Sequence, residues 1–177
     1  MMESQPELVL VAKALNENSL EAILIGNMAA ALHGAPVATI DIDLFFRKTP
    51  RNMQKLKLVA DALEAVILRR YYPASRVTRL RRQRDGLQLN FFNRIAGKTF
   101  YDGIRARADV HHICGQRLLA ATPDDIIRIK GAADKSAALK RESDRALIEL
   151  IRYRLSLPPE KRLNCLRRKI GLRATCL

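Results

Sequence analysis

One short segment constrains the fold more than any other, the run from Thr39 to Phe46, in which apolar residues alternate with two aspartates. Alternation together with β-branched and aromatic residues predicts a β-strand. Because residues two apart share a face of a strand, Asp41 and Asp43 are expected to project together, while Ile42 and Leu44 enter a core. Adjacent carboxylates repel unless a cation lies between them, and Mg²⁺ (or Mn²⁺) prefers such oxygen pairs. The pattern predicts either a divalent-metal site or a strand edge with two solvated aspartates.

The residues just upstream predict a phosphate-binding turn. Residues 21–25 are typical of a buried strand, Gly26 and Asn27 follow it, and a short helix over 28–33 is expected to end at Gly34. A glycine and a small polar residue between a strand and a helix let the backbone approach phosphate, and the helix N-terminus supplies N–H donors. Gly26 and Asn27 are therefore candidate nucleotide-binding residues beside a candidate metal strand, an order that suits phosphoryl chemistry on a nucleoside triphosphate (NTP).

These two segments, IGNMAAALHG over residues 25–34 and TIDIDL over 39–44, resemble the nucleotidyltransferase superfamily with its minimal polymerase-β-like fold. Within it they are similar to abortive-infection and toxin-type enzymes of type IV toxin–antitoxin systems. The similarity continues in residues 122–130 and 144–147. The resemblance implies an α+β fold, with a nucleotidyltransferase-like mixed sheet flanked by helices and a helical C-terminal part. It also implies metal-dependent transfer of a nucleoside monophosphate from an NTP to an acceptor, here the 3′ end of transfer RNA.

The same resemblance implies a third carboxylate on a later strand, but the best candidate strand, residues 86–92, offers Asn90. Asparagine can bind a metal or donate a hydrogen bond, but it cannot act as a general base near neutral pH. Lys130 is implied to contact the triphosphate. Two functions therefore remain open. One is a transferase with Asp41, Asp43 and Asn90 as its catalytic set; the other is a catalytically reduced protein that binds nucleic acid or an acidic partner without transfer.

The charge balance favours a polyanionic partner. The chain has 177 residues and a net charge of +14, and its arginines cluster in one segment as Arg76, Arg79, Arg81, Arg82 and Arg84. Arginine binds phosphate through paired hydrogen bonds, and the aromatic content of 5% favours backbone recognition over base stacking. RNA is the expected partner of this segment, and the resemblance implies that this RNA is transfer RNA. Solvated surface and contact with an acidic antitoxin are the alternatives.

Length and composition predict one compact unit. The resemblance implies a nucleotidyltransferase-like α/β core over residues 1–121, with a basic, helical C-terminal segment over 122–177 packed on it. No apolar run approaches the roughly 20 residues of a membrane span. The polar N-terminal segment does not resemble a secretory signal, and the three scattered cysteines favour neither a disulfide framework nor a zinc site. A cytoplasmic protein is expected.

Periodicity and capping signals predict the remaining elements. Helices are expected over residues 6–16, 51–68, 122–130, 143–155 and 160–169, strands over 75–82, 87–92, 108–113 and 116–121, and a short helix or loop over 98–106. His111 and His112 would face opposite sides of their strand, which makes them a poor metal-binding pair. His33 could contact substrate from its helix, although a histidine in this position is more often a packing residue or one that interacts with the helix C-terminus.

Overall fold

The computed structural model describes residues 6–37, 39, 41–68, 77–95, 100–132, 149, 151–153 and 156. Helices and strands occur there in the order α1 (Glu7–Glu17), β1 (Ala22–Ile25), α2 (Gly26–Leu32), β2 (Asp41–Phe46), α3 (Pro50–Ala62), β3 (Ala65–Ile67), β4 (Val77–Arg82), β5 (Gln88–Phe92), α4 (Tyr101–Arg107), β6 (Asp109–Ile113), β7 (Gln116–Ala120) and α5 (Pro123–Ala132). None of these helices is both long enough and apolar enough to cross a bilayer.

The strands form one seven-stranded mixed sheet in the order β3-β4-β5-β2-β1-β7-β6. β2 runs parallel to β5 and β1 runs parallel to β7, whereas the other neighbours are antiparallel. Helices α1 and α3 contact each other, and α2 packs against β1, β2 and α5. The prediction of an α+β fold with a mixed sheet flanked by helices is confirmed.

The alternation in β2 works as the sequence predicts. Ile42 and Leu44 are buried in the core, whereas Asp41 and Asp43 are partly exposed. Full burial of an aliphatic side chain of this size contributes roughly 1.5–3 kcal/mol to folding, so the two apolar positions fix which face of β2 carries the aspartates.

The prediction of one long helix over residues 51–68 is wrong for the residues after Ala62. Thr49 caps α3 as expected, because its hydroxyl accepts a hydrogen bond from the N–H of Asn52 at 3.1 Å. The helix ends at Ala62, and Glu64 adopts a left-handed φ of 52° that reverses the chain. Residues 65–67 then form the edge strand β3, where β-branched side chains suit a pleated sheet better than a helix.

One of the two glycine turns expected from the sequence is present. Gly86, with a φ of 75°, completes the predicted hairpin between β4 and β5, and its N–H donates to the carbonyl of Arg82 at 3.0 Å. Gly26 and Asn27 are not a separate turn, because α2 begins at Gly26 directly after β1.

The C-terminal prediction is largely outside the described residues. Residues 149 and 151–153 of the predicted helix over 143–155 are helical, and Ile151 is buried in the core. The predicted helix over 160–169 lies entirely outside the described part, and the division at residue 121 stays a prediction.

Candidate active site

A polar strip crosses the centre of the sheet on the face opposite Ile42, and it consists of Asp41, Asp43, Gln88 and Asn90. In the parallel pairing of β2 with β5, Asp43 lies beside Asn90 and Asp41 lies beside Gln88. The amide nitrogen of Asn90 donates to Oδ1 of Asp43 at 2.9 Å, and the amide nitrogen of Gln88 donates to Oδ1 of Asn90 at 3.2 Å. The predicted position of Asn90 beside the aspartates is confirmed. Its side chain presents an N–H, and not an oxygen, to Asp43.

Gly26 makes room for the Asp43 carboxylate. The pairing of β1 with β2 sets Ile25 opposite Asp43, so the first residue of α2 lies against that side chain. A Cβ on residue 26 would lie 2.5 Å from Oδ2 of Asp43, and the φ of +71° is itself unfavourable for other residues. Close approach and backbone conformation both require glycine here.

Asn27 adds an unsatisfied polar atom next to this contact. Its Oδ1 is buried and accepts no hydrogen bond from any described residue. A buried polar atom without a partner costs free energy that a bound ligand or water can recover. An asparagine amide can present either its oxygen or its nitrogen after rotation. Asn27 can therefore accept a hydrogen bond from a ligand donor or donate one to a phosphate oxygen.

The oxygen atoms of this strip suit a hard divalent cation. Asp41 and Asp43 share a face two residues apart, and Mg²⁺ commonly takes one or two carboxylates together with water and substrate phosphates. The oxygen of Asn90 is engaged by Gln88, so the two carboxylates are the principal candidate ligands. The residues present fit the metal that the resemblance implies.

The predicted arginine group does not share one surface. Arg79 lies opposite Asn90 and Arg81 lies opposite Gln88 in the pairing of β4 with β5. Paired residues share a face, so both exposed arginines belong to the same face as the aspartates.

Arg82 lies on the other face of β4, which corrects the prediction that it contacts nucleic acid. It is only 3% exposed, and its guanidinium donates to Asp85 at 2.9 Å and to Glu7 at 3.3 Å. Arg82 holds the pKa of Asp85 down at about 2, chiefly through this hydrogen bond. The role of Arg82 is to connect the hairpin to α1.

The remaining arginines of the predicted group, Arg84 and Arg76, are not placed beside the aspartates. Arg84 is exposed at the hairpin and forms ion pairs with Glu64 at 3.7 Å and with Asp85 at 3.6 Å. Arg76 lies outside the described residues. Of the five, Arg79 and Arg81 are those that the structure places beside the aspartates.

Lys130 is half-buried in α5, one turn beyond the buried Ile126 on the same face of that helix. The first turn of α5 is held by Asp125, which receives two hydrogen bonds from Arg107 at 3.1 and 2.8 Å. Since α5 packs against α2, the helices carrying Lys130 and Gly26 are neighbours. A contact of Lys130 with triphosphate stays a prediction.

A further set of ionisable groups fixes α4 to β1. Arg105 forms a paired ion contact with Glu21, which lowers the pKa of that carboxyl. The hydroxyl of Tyr101 donates to Glu21 at 2.9 Å, and burial raises the pKa of Tyr101. These groups keep their ordinary ionisation near neutral pH and act as structural contacts.

Sequence reasoning missed a second polar cluster at the β6 edge of the sheet. His33, Asp109 and His111 offer ligand atoms within 4.8 Å of one another. The alternation of β6 does separate His111 from the exposed His112, as expected. The partner of His111 is His33, from a distant part of the sequence, and a pattern within one strand cannot reveal it.

No protein-family profile matches the chain, and no curated protein matches it in sequence. Solved structures do match its fold. The lincomycin-bound lincosamide antibiotic adenylyltransferase LnuA superposes with a TM-score of 0.59 at 12% identity, covering 84% of this chain and 96% of that one. The antibiotic-resistance factor ANT(2'')-Ia gives 0.56 at 14% identity, with 93% and 89% covered, for its solution structure. Its crystal structure with adenylyl-2''-tobramycin gives 0.52 at 15% identity, with 93% and 95% covered.

The resemblance to the nucleotidyltransferase superfamily is thus confirmed at the level of the fold. The chain has the nucleotidyltransferase fold over most of its length, and the glycine–aspartate contact lies where β1 meets α2.

Proposed function

We propose that this protein is a metal-dependent nucleotidyltransferase that moves a nucleoside monophosphate from an NTP to an acceptor and releases pyrophosphate. The observation that carries the proposal is the packing of the Asp43 carboxylate on Gly26, with Asp41 on the same face. A bare backbone beside two carboxylates provides close approach for phosphates and oxygen ligands for their counter-ion.

Asp41 and Asp43 would hold Mg²⁺ or Mn²⁺. When bound, such an ion neutralises charge on the phosphates and favours in-line displacement at the α-phosphate. The amide of Asn90 donates to Asp43 at 2.9 Å and so fixes the direction of that carboxylate. Gly26 and Asn27 would receive the phosphate chain, and Lys130 would balance the charge of the leaving pyrophosphate.

The missing third carboxylate limits the chemistry. Asn90 directs a donor at Asp43 and cannot take a proton from the acceptor. Proton removal would then fall to solvent or to the aspartates. The same observation favours a second candidate, a protein of this fold that binds nucleotide and RNA without transfer.

RNA is the acceptor that the surface beside the site favours. Arg79 and Arg81 continue the polar strip outward, and the exposed apolar side chains of Val66 and Leu68 lie next to them on the sheet edge. Guanidinium groups bind phosphate oxygens, and neighbouring apolar surface suits the faces of unpaired bases. Two arginines at this position would repel a polycationic acceptor such as tobramycin, which appears adenylylated in one of the matched structures.

The 3′ end of transfer RNA is the first RNA to test, with a toxin role as the biological setting and an acidic antitoxin as a further partner. The experiment incubates the full chain with each of the four labelled NTPs, Mg²⁺ and total RNA, and in parallel with tobramycin or lincomycin. Asp43→Asn is the test variant. Asp61→Asn, the same change at an exposed position of α3, is its matched control.

Label on RNA that is lost in Asp43→Asn and retained in Asp61→Asn would support transfer to RNA. Label on either antibiotic would retain transfer and reject RNA as the acceptor. RNA binding with no label from any NTP would favour the second candidate. A melting temperature that Mg²⁺ with NTP raises equally in wild type and Asp43→Asn would exclude this site.

A further inference from the structure

Three side chains with metal-binding atoms meet at the edge of the sheet away from β3. His33 directly follows α2, and Asp109 and His111 lie two residues apart on β6. One nitrogen of each imidazole and one oxygen of Asp109 lie within 4.8 Å of one another. Nε2 of His33 is 3.8 Å from Oδ2 of Asp109, and the two rings meet edge to face with centroids 5.4 Å apart.

The hydrogen bonds of these imidazoles are consistent with metal ligands. Nε2 of His111 is buried and has no hydrogen-bond partner in the described part of the chain. Nε2 of His33 lies 2.9 Å from the carbonyl oxygen of Ala121, and since a carbonyl only accepts, the imidazole donates this bond. The nitrogen of His33 that faces Asp109 is this same Nε2, so binding of Zn²⁺ there would move the ring proton to Nδ1 and replace the bond to Ala121.

We infer that His33, Asp109 and His111 form a binding site for Zn²⁺. Two imidazoles and one carboxylate are a donor set typical of zinc, with water in the fourth position. Mg²⁺ prefers oxygen ligands alone, so this site differs in metal preference from the Asp41–Asp43 pair.

The geometry needs only a modest adjustment. Ligand atoms around tetrahedral zinc lie about 3.2–3.5 Å apart, which follows from bond lengths near 2 Å. The Asp109 side chain is 51% exposed and can rotate inward.

The site would connect the two ends of α2 to different parts of the sheet. Gly26 at the start of α2 contacts Asp43 of β2, and His33 after its end would share zinc with β6. Zinc would therefore stabilise the position of α2. This inference does not depend on nucleotidyl transfer.

The test uses the full chain, stripped of metal with a chelator and titrated with Zn²⁺ and with Mg²⁺ separately by calorimetry. We expect one Zn²⁺ per chain, a higher melting temperature with Zn²⁺, and no comparable binding of Mg²⁺ at this site. Asp109→Asn should weaken Zn²⁺ binding at least about tenfold, because loss of even an indirect partner of a metal ligand commonly costs 10–100-fold.

Three variants serve as matched controls. His112→Asn changes an exposed histidine on the other face of the same strand, Cys114→Ser removes the thiol in the following turn, and Asp43→Asn alters the other metal pair. All three should retain Zn²⁺ affinity. No stoichiometric Zn²⁺ binding, or equal affinity in Asp109→Asn and His112→Asn, would overturn the inference. Since Asp109 is half exposed, its variant should fold whether or not a His111 variant does.

Discussion

The carboxylate of Asp43 occupies the space that a side chain on residue 26 would need, 2.5 Å from the position of its Cβ. Gly26 directly follows β1, and Asp43 lies on β2 opposite Ile25. The pairing of these two short strands therefore brings Gly26 and Asp43 into contact. A substitution at residue 26 must displace the carboxylate, the backbone or both.

Gly26→Ala should therefore abolish nucleotide-induced stabilisation and lower the free energy of unfolding by more than backbone strain alone. Gly115→Ala is the matched control, because its φ of +76° is nearly the same and no atom lies within 4 Å of the added methyl. Strain of this kind costs about 1–2 kcal/mol. Denaturant unfolding measures the difference between the variants, and an equal loss in both would contradict the proposed clash.

Asn90→Asp replaces a donated hydrogen bond with a third carboxylate, next to Asp43 and on the same face as Asp41. Without metal, we expect repulsion and loss of the bond to destabilise the protein by about 1–3 kcal/mol. Mg²⁺ should restore stability more than in the wild type, and transfer should increase because a carboxylate can accept the acceptor's proton. Gln88→Glu, two residues away on the same face, is the control for added charge, and thermal melting with and without Mg²⁺ is the measurement. A variant that gains no stability from Mg²⁺ would argue against a metal at this position.

Arg79→Glu should weaken RNA binding and reduce the slope of log K against log salt by roughly 0.7, the value for one lost phosphate contact on single-stranded RNA. Arg117→Glu makes the same charge change on β7, at the other side of the sheet, and should leave the slope nearly unchanged. Binding titrations at several salt concentrations give both slopes. Equal slopes for the two variants would show that the net charge, and not this face, attracts RNA.

Arg82→Met should instead destabilise the fold, because Asp85 and Glu7 lose the buried guanidinium that pairs with them. The folded variant should bind RNA with unchanged affinity, since Arg82 lies on the opposite face from Arg79. Urea unfolding and RNA titration separate these effects. A stable Arg82→Met protein with reduced RNA affinity would contradict the structural role.

The pairing of Asp85 with Arg82 predicts a dependence of stability on pH. The pKa of Asp85 falls from 3.8 to about 2 on folding, so the ionised carboxylate stabilises the native state above pH 3.8. This contribution is lost as the pH falls through 2. Wild type should exceed Asp85→Asn in stability at pH 5, and the difference should disappear near pH 2. Denaturant unfolding at several pH values measures it, and a constant difference would mean that the ion pair does not control stability.

The sequence alone determines much of the candidate site. The alternation in β2 assigns Asp41 and Asp43 to one face, because the buried Ile42 and Leu44 leave no other register. Gly86 likewise predicts its hairpin from the local need for a positive φ. Both results depend on periods and conformations that act within a few residues.

Only the tertiary structure decided the rest. The alternation of β4 places Arg82 among core side chains and Arg79 outside, but which face is open depends on how the helices cover the sheet. Residues 65–67 form a strand and not the end of the predicted helix, because they pair with β4. His33 lies close to His111 because α2 packs against the sheet. Contacts between residues far apart in sequence arise from the burial of whole elements, and no local pattern encodes them.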